Sequence, residues 1–159
     1  MSNDIPAGEP PTTPTTPMAG APIVTAAWWG TGLFVVVAVA AAVAPDTFGG
    51  AALAVDAALF AAGCVLFAFA FFRAADRSRT QAIGIGGLFF LAGDVAPPHV
   101  RRRLIGALVV QTTVALVTAG VRLYTNLAAG TLVPVFGLGL CGLWAATHGR
   151  FDRRPPTPK

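Results

Sequence analysis

AALAVDAALFAAGCVLFAFAFF, residues 51–72, contains a single ionisable side chain, Asp56, and stops at Arg73. At a rise of about 1.5 Å per residue such a run reaches across a hydrocarbon layer of about 30 Å. A helix of this length without a polar face is either buried in a large core or spans a membrane. Working outward, residues 23–44 form a wholly uncharged run that stops at Pro45, and the PDTFGG stretch at 45–50 reads as the turn between them. Two long apolar runs joined by a short turn predict an antiparallel helical hairpin.

A second pair lies downstream. Residues 104–121 end at Arg122, and residues 127–146 precede the basic C-terminal stretch. Pro134 is tolerated if Thr131 caps this helix and the proline falls in the first turn; otherwise it kinks the helix. Between the hairpins lies the shorter segment 83–93, IGIGGLFFLAG, with four glycines and with Pro97 and Pro98 just beyond it. It is about half the length that a perpendicular span needs, which favours an interfacial or re-entrant segment over a fifth, tilted span. The expected fold class is therefore all-α: a polytopic membrane protein with four transmembrane helices in two hairpins.

Composition supports this. The chain is 55% hydrophobic and 11% charged, with a mean hydropathy of +0.68, against roughly 45–50% and 25% for a soluble domain. Residues 1–22 carry six prolines and no Lys or Arg, and are expected to be a disordered cytoplasmic tail without a signal peptide's basic start. The membrane domain then covers 23–147, and 148–159 form a basic cytoplasmic tail.

Charge placement orients the chain. Ten of its eleven basic residues, Arg73, Arg77, Arg79, Arg101, Arg102, Arg103, Arg150, Arg153, Arg154 and Lys159, flank one side of the four spans, and Arg122 alone flanks the other. The excess of Lys and Arg in cytoplasmic loops places the 73–103 loop and both termini in the cytoplasm of a bacterial plasma membrane. Trp28, Trp29 and Trp144 then fall near the inner interface, where indole rings settle. The net charge of +4 is thus accounted for by the lipid bilayer as partner, and no basic patch with interleaved aromatics indicates nucleic acid.

Few polar groups lie within the spans. An ionisable residue inside a membrane is by default a functional candidate, so Asp56 is the first, at a depth of about 8 Å below the outer end of its run. Arg122 is its expected ion-pair partner, with Tyr124 or Thr118 as hydrogen-bond donors; the plain reading is a structural carboxylate and the sharper one a proton or cation site. Gln111, Thr112 and Thr113 form a polar cluster, read as interhelical hydrogen bonding or as part of a solute path. Cys64 and Cys141 share a depth and read as small packing residues, while His99 and His148 lie outside the core and are unsuited to hold a haem within it. No metal-ligand spacing, nucleotide loop or nucleophile-base pair is present in the sequence, so no metal, cofactor or catalytic residue is assigned. Small residues repeat at Ala54, Ala58 and Ala62 and at Gly137, Cys141 and Ala145, and these stripes are the expected helix contacts.

SRTQAIGIGGLFFLAGDVAPPHVRRRLIGALVVQTTVALVTA, from Ser78, and LVPVFGLGLCGLWAATHGRF, from Leu132, resemble a group of uncharacterised small four-span integral membrane proteins of actinobacterial type. Together they cover less than half of the chain, and the resemblance implies a membrane protein while assigning no site residue. Three function classes follow. A non-catalytic scaffold, assembly factor or accessory subunit would present its arginines to anionic lipid, a membrane-protein partner or a homo-oligomer. A small oligomeric transporter or channel would use Asp56 and the Gln111–Thr113 cluster. An enzyme, for instance one holding lipid phosphate with Arg101–Arg103, lacks a catalytic acid or base.

Overall fold

The computed structural model describes residues 20–121 and 126–153, with the side chains of 126 and 127 excepted. The chain is all-α and polytopic: α1 Ala21–Val43, α2 Pro45–Arg77, the short α3 Ile85–Phe90, α4 Pro98–Val121, a 3-10 turn Asn126–Leu132, and α5 Pro134–His148. Four helical segments are long and apolar enough to cross a membrane, the last being Ala128–His148, which joins the 3-10 turn to α5.

The first hairpin is tighter than its composition predicts. The PDTFGG stretch is not a turn. Pro45 occupies the first position of α2, where its missing N–H removes no helical bond, and Ala44 alone separates the helices, its N–H donating to the Ala40 carbonyl at 2.9 Å. α2 thereby extends over 33 residues, about 50 Å, so its last turns carry Arg73 and Arg77 beyond a core of about 30 Å.

The intervening segment does not cross. α3 has six residues, about 9 Å of helix, and ends at Leu91, which takes a left-handed φ of 51° and is fully buried. Phe89 from α3 stacks on Phe67 of α2, with ring centroids 4.3 Å apart. Pro98 opens α4, so the prolines begin that helix six residues earlier than the apolar run does, and Arg101, Arg102 and Arg103 lie within it. Pro134 sits in the first turn of α5 as expected, but Val133 is the N-cap and the Thr131 hydroxyl donates back to the Ala128 carbonyl.

α2 packs most extensively against α5; α1 lies against α2 and α4, and α4 against α5, closing a four-helix bundle. The α2–α5 contact is a close approach of backbones. A Cβ on Gly63 would lie 2.6 Å from the Phe136 nitrogen, and one on Gly139 would lie 2.8 Å from the Gly63 carbonyl oxygen. The inward stripe of α2 is Gly49, Ala52, Asp56, Gly63, Ala70 and Ala74, whereas Ala54, Ala58 and Ala62 are exposed. The stripe expected on α2 is therefore the wrong face. On α5 the expected stripe is right: Gly137, Cys141 and Ala145 are buried. Outward faces remain apolar, with Val36, Phe72, Val109, Leu116 and Val121 all exposed, as a lipid-facing bundle requires.

One end of the bundle is built from distant parts of the chain. The Ala82 N–H donates to the Asp152 carbonyl at 2.9 Å and the Arg150 N–H to the Val95 carbonyl at 3.0 Å, while Gln81 and Arg153 form an antiparallel bridge. The start of the C-terminal tail is thus an ordered strap. Gly20, with φ 75°, abuts the Trp144 indole and the His148 ring, so α1 begins at the end where α5 finishes.

Candidate functional site

Asp56 lies on the inward stripe of α2 and is 4% exposed. Because α2 begins at Pro45, the residue stands about 16 Å along its helix and not about 8 Å. Its carboxylate is wedged between α1 and the 3-10 turn: a Cβ added to Gly130 would lie 3.4 Å from Asp56 Oδ2 and 3.3 Å from Phe34 Cε2. Among the described residues nothing donates a hydrogen bond to it. Thr118 does not serve, since its hydroxyl donates to the Val114 and Ala115 carbonyls at 2.8 and 3.2 Å. The expected partners Arg122 and Tyr124 lie outside the described residues.

The polar cluster on α4 is divided by helix geometry, because successive residues point about 100° apart. Gln111 is fully buried and crosses to α1, its Nε2 donating to Thr31 Oγ1 at 2.7 Å. Thr31 in turn donates to the Ala27 carbonyl at 2.7 Å. Gln111 Oε1 has no donor and faces Gly137, where a Cβ would lie 2.6 Å away. Thr112 donates to its own helix at the Leu108 carbonyl, and Thr113 is exposed on the outer face. The three do not line one path. Thr31 escaped the sequence reading, although its position on the stripe Val24, Ala27, Thr31, Phe34, Ala38 was a usable signal.

At the arginine-bearing end, Arg73, Arg79, Arg101, Arg102 and Arg103 are exposed. Arg77 is not among them. Its Nη1 donates to the Ala146 carbonyl at 2.7 Å and its Nη2 to the Gly149 carbonyl at 3.1 Å, with Nε to Gln81 Oε1 at 3.2 Å and the guanidinium 5.6 Å from the Phe151 ring centroid. A residue expected to face lipid or a partner instead caps the last carbonyls of α5, where a fixed positive charge also opposes the helix dipole. The chain carries no local sign of this, because the acceptors lie some seventy residues away.

Trp144 is 2% exposed and stacks on His148 at 5.7 Å, so of the three tryptophans only Trp28 and Trp29 are exposed. Cys64 is exposed and Cys141 buried; although their helices pack together, the thiols face different surroundings. Among the described residues no group of three His, Cys, Asp or Glu side chains gathers as a metal site. Fold and site together define a polytopic α-helical membrane protein with one structured, basic end. Comparison with known protein families, curated proteins and solved structures returns no match.

Proposed function

We propose that the chain is a non-catalytic module of the bacterial plasma membrane, a scaffold, assembly factor or accessory subunit, with both termini cytoplasmic. Its arginine-bearing end engages a membrane-protein partner or a second copy. One observation carries the reading: the remote segments 81–95 and 149–153 are tied into one end by backbone bonds and by Arg77, with the start of α1 packed beside them against Trp144 and His148. Arg73, Arg79 and Arg103 are left exposed there. Within the bundle, by contrast, Asp56 and the Gln111–Thr31 pair occupy separate places and, among the described residues, assemble no constellation of acid, base and nucleophile. The excess of arginine at this end supports its cytoplasmic placement.

Crosslinking in native membranes followed by affinity purification tests the proposal. The full chain should recover a partner or a second copy in stoichiometric amount, and a variant with Arg73, Arg79 and Arg103 changed to Glu should lose it. Repeated recovery of the protein alone removes the basis of the reading.

A second reading, a small oligomeric transporter, rests on the burial of Asp56 inside the bundle. Under it, proteoliposomes carrying the protein show proton or cation flux, and Asp56→Asn abolishes that flux. Flux that is absent, or indifferent to the substitution, eliminates Asp56 as a transport site.

A further inference from the structure

A cavity of about 970 Å³ opens beside the first turns of α4, lined at its upper end by Arg101, Arg102 and Arg150 and at its lower end by Ile105, Gly106 and Val109. Arg101 and Arg102 come from α4, whereas Arg150 follows α5 and is held in place by the bond from its N–H to Val95. Residues 93–97, with Asp94, complete the wall. Three guanidiniums and one carboxylate give the lining a formal charge of +2. Among the described residues none of the three arginine side chains forms a hydrogen bond or an ion pair, so their planar, forked donors are free for an incoming anion.

The lower half has the opposite character. Residues 101, 105 and 109 lie on one face of the helix, and the step from Arg101 to Val109 descends about 12 Å, comparable with half of a hydrocarbon core of about 30 Å. Val109 is itself exposed outward, so the groove is open to the acyl-chain region. A Cβ at Gly106 would meet nothing within 4 Å, which leaves the floor of the groove empty.

We propose that this groove binds an anionic glycerophospholipid, with the phosphate among Arg101, Arg102 and Arg150 and one acyl chain along Ile105, Gly106 and Val109. The basic mouth and greasy floor follow the polarity gradient of such a lipid at a membrane surface. A free phosphate ion would use only the upper half. Asp94 accepts a hydrogen bond from a headgroup hydroxyl, favouring a glycerol headgroup over a bare phosphate. The inference rests on the chain crossing the membrane, which it shares with the proposed function, but not on the existence of a protein partner.

Native mass spectrometry of the full chain, released from detergent with either phosphatidylglycerol or phosphatidylcholine of identical acyl chains, provides the test. One phosphatidylglycerol should be retained about tenfold more tightly than phosphatidylcholine, and each of Arg101→Ala, Arg102→Ala and Arg150→Ala should weaken retention about fivefold. Arg153→Ala removes the same charge outside the groove and should leave retention unchanged. Gly106→Phe, whose Cβ would meet nothing within 4 Å, directs a ring into the floor of the groove and should abolish tight retention while circular dichroism shows the helices intact. Equal retention of the two lipids, insensitivity to the arginine substitutions or to Gly106→Phe, or displacement of lipid by millimolar inorganic phosphate overturns the site. A chain that holds phosphatidylglycerol but recovers no partner refutes the docking reading alone; capture of a partner without lipid preference refutes the groove alone.

Discussion

Gln111 brings a full amide into the centre of the bundle and satisfies only half of it. Its Nε2 has Thr31, but Oε1 is an orphan acceptor, and a buried unsatisfied polar atom costs about 1–3 kcal/mol. Interhelical hydrogen bonds within membranes contribute roughly 0.6–2 kcal/mol, so the gain and the cost nearly cancel. Gln111→Met should accordingly shift thermal stability in detergent by less than about 1 kcal/mol in either direction. Thr31→Val, which keeps the shape and strands the whole amide, should destabilise by about 1–2 kcal/mol. The reverse order would show that Gln111 contributes more than its bond to Thr31 and that the orphan oxygen is not a burden. That Gln111 is inward and Thr113 outward could be foreseen only by fixing the rotation of α4, which the near-uniform apolarity of its sequence leaves open.

At the scale of elements, the α2–α5 crossing depends on the absence of side chains. Gly63 and Gly139 let the two backbones meet where lipid offers no hydrophobic drive for helix association, so close packing must supply the attraction. Gly63→Ala places a methyl against the backbone of Phe136 and should cost about 1–3 kcal/mol as overpacking. Gly32→Ala, in α1 with nothing within 4 Å of its added Cβ, should be neutral or stabilising by up to about 1 kcal/mol through helix propensity. Unfolding midpoints in mixed micelles separate the two, and equal effects would contradict the crossing. The existence of both helices was legible in their composition, and so was the inward stripe of α5. The stripe of α2 was not, because Ala54, Ala58 and Ala62 repeat the same small-residue spacing on a face that the fold leaves exposed.

The whole molecule is a bundle with one elaborated end. Residues 81–95 and 149–153 meet there, and Arg77 fastens α2 to the end of α5. If that end is cytoplasmic, a cysteine introduced at Gly84, where a Cβ meets nothing within 4 Å, reacts with an impermeant maleimide only after cells are opened. A cysteine replacing the exposed Phe48, near the single-residue turn at Ala44, reacts in intact cells. Labelling with the opposite sidedness would invert the orientation, and labelling of Gly84→Cys from outside would also detach the arginine count from topology.

What the linear chain settled was the medium and the number of crossings, since both depend on sums over about twenty neighbouring residues and need no knowledge of contacts. Charge counting likewise grouped the arginine-bearing segments at one end, where the structure also puts them. Tertiary structure decided which side of α2 and of α4 is inside, because packing against a neighbour and facing lipid impose nearly the same polarity, and only shape distinguishes them. It also decided the fate of individual arginines: Arg77 turns to distant carbonyls, while Arg101 and Arg102 converge with Arg150 on a groove whose walls come from segments remote in sequence.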